Sequence, residues 1–285
     1  MIPAAFDYQR AGSLDEALGL IGTSGTKVIA GGMSLLPLMK LRLANPERLL
    51  DIGRLKELKG VRKLDDGRLA VGALTTYAEL AESPARFYGL IRDALPGIGD
   101  VQVRNRGTIG GAVAHCDPAS DLPAVLLALD AEIVARSKRG ERVIPSDGFF
   151  KGAFETDLAA DELITEIRLT GARDDAGSAF VALSQRASGY SIVGVAAVVI
   201  VDGKGSIATA GVALTGVGDA PYRAKAVESA LVGTDRGAAA IAKAAAHATD
   251  GVTVNGDIHA DAAYRTAMAE VYTRRAIEAA VGRLG

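Results

Sequence analysis

Two short glycine-containing stretches are the places along this 285-residue chain where residue type and spacing suit a particular chemistry. Gly31-Gly32-Met33-Ser34 follows a strand signal at residues 27–30 and precedes an apolar helix signal that Ser34 opens. Such a junction offers N–H groups without helical partners at the positive end of a helix dipole, and glycine lets a phosphate approach the backbone. Thr108-Ile109-Gly110-Gly111 provides a second nest, with the Thr108 hydroxyl as an added donor. Two nests would suit a diphosphate. A side chain at Gly110 is expected to fill the phosphate's space while leaving the chain able to fold. The number of Gly-Gly pairs carries no signal, because 34 glycines in 285 residues would give more by chance than the two present. Neither stretch fits G-x-G-x-x-G or the P-loop, which argues against a Rossmann or Walker site.

Asp117 and Asp121 stand just beyond the second stretch. A carboxylate repels a diphosphate, so a functional Asp here should face sugar-type hydroxyls; helix capping by Asp117 or Ser120 is an equally good reading. His115 beside Cys116 suggests a metal or a nucleophile. With no second ligand or partner base nearby, a packed or surface histidine is the better reading. A single cysteine excludes a disulfide within the chain and a four-sulfur iron cluster, and the histidines, His115, His247 and His259, are scattered. Any metal chemistry in this system belongs on another polypeptide.

The elements that must position these residues alternate between strand and helix signals. Ser13 caps a helix start with Glu16 at capping-box spacing, residues 35–43 read as an apolar helix that tolerates Pro37 in its first turn, and residues 49–52 read as a strand. Further on come a strand at 69–73, a helix at 76–82, a loop followed by a helix over 108–123, and strands at 131–136 and 163–169. The polar, glycine-flanked stretch 171–177 reads as a boundary. Residues 191–201 and 206–214 form a hairpin through Asp202-Gly203-Lys204-Gly205. Helices at 224–231, 237–249 and 260–281 complete the chain.

The length predicts two or three subdomains. Hydrophobic residues at 49% and charged residues at 23% suit a soluble globular protein, and aromatics at 5% leave the core to Val, Leu, Ile and Ala. A net charge of -2 and a pI near 6.0 argue against a nucleic-acid partner. The N-terminus lacks the basic and apolar regions of a signal peptide, and no apolar run is long enough to cross a bilayer, so a cytoplasmic protein is the simplest expectation.

Several blocks together resemble one family. They are Met1-Ile2-Pro3 with Phe6-Asp7-Tyr8, then residues 30–42, 102–111 and 117–123, and finally Tyr264-Arg265-Thr266-Ala267-Met268-Ala269. In this order and spacing the chain is similar to the flavoprotein (medium) subunit of the xanthine dehydrogenase and aerobic carbon monoxide dehydrogenase family of molybdenum hydroxylases. The resemblance runs nearly end to end. It implies an α+β architecture: the vanillyl-alcohol oxidase/PCMH-type FAD-binding fold in two subdomains (1–55 and 56–172), followed by a C-terminal α+β flavoprotein domain (173–285).

By the same resemblance, Ala30, Gly31, Gly32, Met33 and Ser34, with Leu35 at the helix start, match the first diphosphate loop. Thr108, Ile109, Gly110 and Gly111, with Ala112, match the second. Asp121 matches the Asp that bonds FAD hydroxyls, Leu158 the residue whose backbone meets the flavin ring, and Tyr190 the aromatic residue against the isoalloxazine. Read without the resemblance, Tyr190 is a half-buried packing residue. There are departures. Met33 stands where relatives often have His, Val181 or Ala182 where a Lys commonly reaches the flavin, and Gly189 where Asp is frequent. A missing cation near the flavin N1–O2 edge should make reduction harder unless Arg186 substitutes.

The resemblance further implies noncovalent FAD as the only cofactor of this chain, with no catalytic or metal-ligating residue of its own. A small subunit with two [2Fe–2S] clusters and a large molybdopterin subunit are the expected partners, in a dimer of heterotrimers that delivers electrons to NAD, a quinone or oxygen. Two rival readings remain. A self-sufficient flavin oxidase of the vanillyl-alcohol oxidase type would need its own acid or base over the flavin, for which no convincing residue stands out. A flavin-free scaffold would not need intact glycine loops.

Overall fold

The structure is a computed structural model that describes residues 1–170 and 175–284. The first segment runs β1 (Asp7–Arg10), α1 (Leu14–Leu20), β2 (Thr26–Ile29), α2 (Leu35–Lys40) and β3 (Arg48–Asp51). The strands form a parallel sheet in the order β1-β3-β2. Ser13 caps α1 by accepting from the Glu16 N–H at 3.1 Å, while the Glu16 carboxylate reaches the Gly12 N–H at 2.7 Å. Ala17, Leu18, Leu50 and Ile52 bury a small core beneath this sheet, continuous with Leu163 of the next segment.

α2 is shorter than the apolar run that predicts it. Arg42 takes a left-handed φ of 60°, the Leu43 N–H bonds the Leu38 carbonyl, and the Arg42 N–H bonds that of Met39. This is a Schellman closure without its usual glycine, so the residue types gave no stop signal.

The second segment holds β4 (Val61–Lys63), β5 (Leu69–Gly72), α3 (Tyr77–Glu82), α4 (Gly89–Ala94), α5 (Val101–Arg104), α6 (Ile109–His115) and α7 (Asp121–Ala128). β6 (Glu132–Ser137), β7 (Gly140–Pro145), β8 (Phe150–Gly152), β9 (Glu155–Thr156) and β10 (Leu163–Leu169) follow. Five strands make an antiparallel sheet in the order β4-β5-β10-β6-β7. Its core joins Val71, Ile133 and Ile167 to Leu90, Ile109 and Leu126 from the helices. The glycine-rich stretch expected to begin as a loop is helical from Ile109. Thr108 supplies the N-cap that stabilises this start despite two glycines, its hydroxyl accepting from the Gly111 N–H at 3.2 Å.

The third segment is an antiparallel sheet, β11 (Ala176–Ser184), β12 (Ser191–Val201), β13 (Ile207–Thr215) and β14 (Tyr222–Arg223), followed by α8 (Lys225–Leu231), α9 (Ala238–Ala245) and α10 (Ala262–Val281). The predicted β12–β13 hairpin is present, with Gly205 at φ 81°. α9 ends before the expected 249, and Asp261 caps α10 by accepting from the Tyr264 N–H at 2.7 Å. Of the expected boundary at 171–177, residues 171–174 lie outside the described residues.

Both faces of this sheet are covered, which is why β12 reads as a nearly unbroken apolar run. Val193, Val195, Ala197 and Val199 pack with α8, α9 and α10, while Ala196 and Ala213 belong to the core around α7. α7 lies between the two sheets and is buried at every residue. Gly211 admits it closely: a Cβ there would sit 2.4 Å from the Ala128 carbonyl oxygen.

Candidate cofactor-binding site

Arg10, Asp51 and Ile29 share one row of the parallel sheet, at the carboxyl ends of their strands. Ligands of open α/β sheets commonly bind at such an edge. The chain leaves β2 through Ala30 and turns at Gly32, whose φ of 78° suits glycine. The N–H groups of Gly31, Gly32, Met33, Ser34 and Leu35 meet no acceptor among the described residues. These successive free donors at the head of α2 form an anion nest.

The two glycine stretches are neighbours in space. A Cβ on Gly31 would lie 1.9 Å from the Arg106 carbonyl oxygen, so the first loop presses directly on the backbone leading to Thr108. Between this contact and the strand ends lies a cleft of about 290 Å³. Tyr8, Arg10 and Asp51 wall one side; Arg54, Lys59 and Arg106 add positive charge. Arg10 donates to the Tyr8 hydroxyl at 3.0 Å and pairs with Asp51 at 3.5 Å, and Tyr8 donates to Asp51. The side chains of Arg54 and Arg106 form no ion pair or hydrogen bond among the described residues, leaving their charge available to an anion.

The second stretch contributes differently from the first. Three of its amides are already engaged, Ile109 N–H with the Thr75 carbonyl, Gly110 N–H with that of Ala73, and Gly111 N–H with the Thr108 hydroxyl, while the Thr108 N–H meets no acceptor among the described residues. Gly110 is buried and has no positive φ. A Cβ there would lie 2.6 Å from the Ala73 side chain and 2.7 Å from its carbonyl oxygen. The structure therefore corrects the reason for this glycine: the space it leaves is filled by the chain's own backbone.

Of the other expected residues, Asp121 heads α7, 7% exposed, and its Oδ1 accepts from the Ser191 hydroxyl at 2.7 Å. Burial pushes its carboxyl up to about 7, with the Ser191 bond pulling the other way. Burial, then Tyr190 and Asp121, raise the Tyr77 hydroxyl, so these three groups share one electrostatic neighbourhood. Tyr77 also lies under the second stretch, since a Cβ on Gly107 would meet its ring at 2.6 Å. Tyr190 is half exposed on a tight turn held by Gln185, whose side-chain oxygen accepts from the Ala187 and Ser188 N–H groups. Gly189 in that turn has φ 77°, a conformation glycine accepts more readily than Asp. Leu158 and Ala182 pack against the same core, and Ile109 lies within it. Ala30, Gly31 and Thr108 line the cleft; Asp121, Leu158 and Tyr190 do not.

Neither Asp117 nor Ser120 caps α7 with its side chain: Asp117 accepts from the Ala119 N–H at 2.9 Å in a local turn. His115 packs on Phe154 with ring centroids 5.0 Å apart. Cys116 is buried, donates to the Gly152 carbonyl at 3.3 Å, and has its thiol pushed up to about 11 by burial, which suits a packed cysteine and not a nucleophile. Among the described residues no three His, Cys, Asp or Glu side chains gather to hold a metal.

Residues 4–169 match the family described as FAD binding domain in molybdopterin dehydrogenase, and residues 178–280 match the CO dehydrogenase flavoprotein C-terminal domain. The carbon monoxide dehydrogenase medium chain of Hydrogenophaga pseudoflava is 38% identical over 99% of both chains. The chain belongs to the FAD-binding medium subunits of the molybdenum hydroxylases. The glyceraldehyde dehydrogenase medium chain of Sulfolobus acidocaldarius is 37% identical, over 98% of this chain and 99% of its own. Among solved structures, the Hydrogenophaga pseudoflava carbon monoxide dehydrogenase superposes with a TM-score of 0.96 at 39% identity, and quinoline 2-oxidoreductase from Pseudomonas putida 86 with 0.92 at 31%, each over the full length of both chains.

As a medium subunit this chain is a flavoprotein and an FAD-dependent oxidoreductase component, with the substrate site on another subunit. Its geometry fits a dinucleotide: a run of unpaired N–H groups, a cleft with uncompensated cations, and a buried carboxyl away from that cleft. No helix among the described residues is long and apolar enough to cross a membrane. Sequence reasoning missed Tyr8, Arg10, Asp51, Arg54, Lys59 and Tyr77. For Tyr8 the only signal was its membership in the N-terminal family block.

Proposed function

We propose that this chain is the electron-transfer subunit of a heterotrimer, accepting electrons from the [2Fe–2S] clusters of a small partner and delivering them to an external acceptor. The substrate is oxidised at the molybdopterin of a large partner, and two heterotrimers pair in the cytoplasm. One observation carries this reading: chains named for carbon monoxide, glyceraldehyde and 6-hydroxypseudooxynicotine dehydrogenases all align with this one over nearly its whole length. The substrate changes among them while this type of chain does not.

FAD, when bound, supplies a redox centre that exchanges electrons singly or in pairs. Gly31, Gly32, Met33, Ser34 and Leu35 hold its diphosphate through their free N–H groups, with Ala30 shaping the loop. Thr108, Ile109, Gly110, Gly111 and Ala112 form the facing wall, where the Thr108 N–H and hydroxyl proton remain to donate. Asp121 accepts from FAD hydroxyls, the Leu158 backbone meets the flavin ring, and Tyr190 shields its face from water. Binding is noncovalent, and the chain divides into parts spanning 1–55, 56–172 and 173–285.

Anaerobic mixing tests the relay. Substrate should leave the flavin of the isolated chain oxidised, a chemical reductant should bleach it, and the two partners should restore bleaching by substrate. Bleaching by substrate of the isolated, metal-free chain would favour a self-sufficient oxidase.

A further inference from the structure

The family block around Arg265 has no place in the cofactor cleft, yet Arg265 is 6% exposed and bonded through both of its terminal nitrogens. Its Nη1 donates to the Ile192 carbonyl at 2.6 Å and to the Gly216 carbonyl, and its Nη2 pairs with Asp257 at 2.6 Å. Burying a guanidinium is costly unless its donors are satisfied, so such an arginine holds whatever it bonds in a fixed place. What it holds are the start of β12 and the residue just after β13.

Those two strand ends in turn grip residues 117–121. The Gly216 N–H donates to the Pro118 carbonyl at 2.7 Å. The Thr215 hydroxyl lies 2.8 Å from the Pro118 carbonyl and 2.9 Å from that of Ser120, one proton shared between two acceptors. Thr215 is wholly buried, and its methyl fills the space beside Gly194, where a Cβ would come within 2.8 Å. With the methyl on that side, the hydroxyl faces the turn, where its two carbonyl acceptors orient it. Ser191, at the same end of β12, completes the grip on Asp121.

We propose that Thr215 and Arg265 are positioning residues of the FAD site: from the C-terminal domain they hold the 117–121 turn so that Asp121 meets the cofactor's hydroxyls. The inference rests on the proposed role of Asp121. The cofactor would thus be held by both domains, the second acting through Tyr190 at the flavin and through Thr215 and Arg265, which do not touch it.

The test compares Thr215→Val, which keeps the packed methyl and deletes the hydroxyl, with Thr215→Ser, which keeps the hydroxyl. Val212→Ala, in the same strand but facing the α8–α10 core, controls for lost stability. Each full-length chain is stripped of flavin; FAD affinity is read from fluorescence quenching and apo stability from thermal unfolding. Thr215→Val should weaken FAD about tenfold and alter the bound flavin's visible spectrum, with Thr215→Ser within about twofold of wild type. Val212→Ala should lower the melting temperature without changing affinity. Arg265→Met should weaken FAD at least as much as Thr215→Val; should it not fold, the Thr215 pair decides alone. Wild-type affinity in Thr215→Val, or an equal loss in Val212→Ala, would overturn the inference and leave the site reading intact. A wild-type chain unable to bind FAD would overturn both.

Discussion

The Ser191 hydroxyl donates to Asp121 at 2.7 Å, a buried contact between residues 70 positions apart that joins the head of α7 to the first residue of β12. Among the described residues it is the one hydrogen bond to this carboxyl, which burial holds at about 7. The folded chain therefore binds a proton there more tightly than the unfolded chain, whose Asp titrates near 4. Stability from this group is fully present below pH ~4 and is lost as pH rises towards 7, the reverse of a salt-bridged aspartate. Asp121→Asn, an isostere without the charge, should melt higher than wild type in the flavin-free state at pH 8. The gap should close by pH 4. A constant difference between the two melting curves across this range would rule the titration out.

FAD binding should couple to the same proton. Hydroxyls that donate to Asp121 favour the ionised carboxylate, so affinity should rise with pH up to about 7 and then level off. Below that pH the slope should not exceed tenfold per unit, and Asp121→Asn should flatten it. Equilibrium titration with FAD from pH 5.5 to 8.5 measures both slopes.

The two glycine stretches should respond differently to a side chain. Gly31→Ala drives a methyl against the Arg106 carbonyl, pushes the loops apart and should weaken FAD tenfold or more, with a small change in melting temperature. Gly110→Val meets the buried backbone at Ala73 and should destabilise the fold by about 3 kcal/mol or more, losing flavin as a consequence. Wild-type thermal stability in Gly110→Val would show that Gly110 is not a packing position.

Tyr190→Ala should change the flavin spectrum and the rate of reoxidation more than FAD affinity. Its ring is half exposed on a turn that is braced independently by Gln185, so removal should not disturb the fold. Stopped-flow reoxidation of the reduced complex compares the variant with wild type.

Acid precipitation should leave all the flavin in the supernatant. His115 and Cys116, the adjacent residues that invite thoughts of a covalent link, are instead engaged with Phe154 and Gly152. Flavin retained in the pellet would contradict noncovalent binding.

The sequence made the strand–glycine–helix junction at 27–35 legible because every part of it is local: a buried strand, two glycines, a serine and an apolar run. The β12–β13 hairpin was legible for the same reason. The Tyr8–Arg10–Asp51 cluster was not, because β1 and β3 come together only when the parallel sheet forms. Gly110 was recognised as special for the wrong reason: a glycine that admits a ligand and one that admits Ala73 look identical in sequence. Arg265 stood out only as part of a family block, since nothing in its spacing says that it bonds carbonyls 73 and 49 residues away.

Because α7 is buried between the second and third sheets, the two matched domains share one interior instead of meeting at a surface. A chain cut after residue 170 would bare the apolar side of α7 that now meets Ala196 and Ala213, and the remaining fragment would lose the floor of its own sheet. Neither half is then a module that can be expressed alone or grafted elsewhere. Melting should follow a single transition reported alike by far-ultraviolet and tyrosine signals. A dinucleotide bound at the parallel-sheet end should raise the temperature at which the distant C-terminal helix α10 gives way.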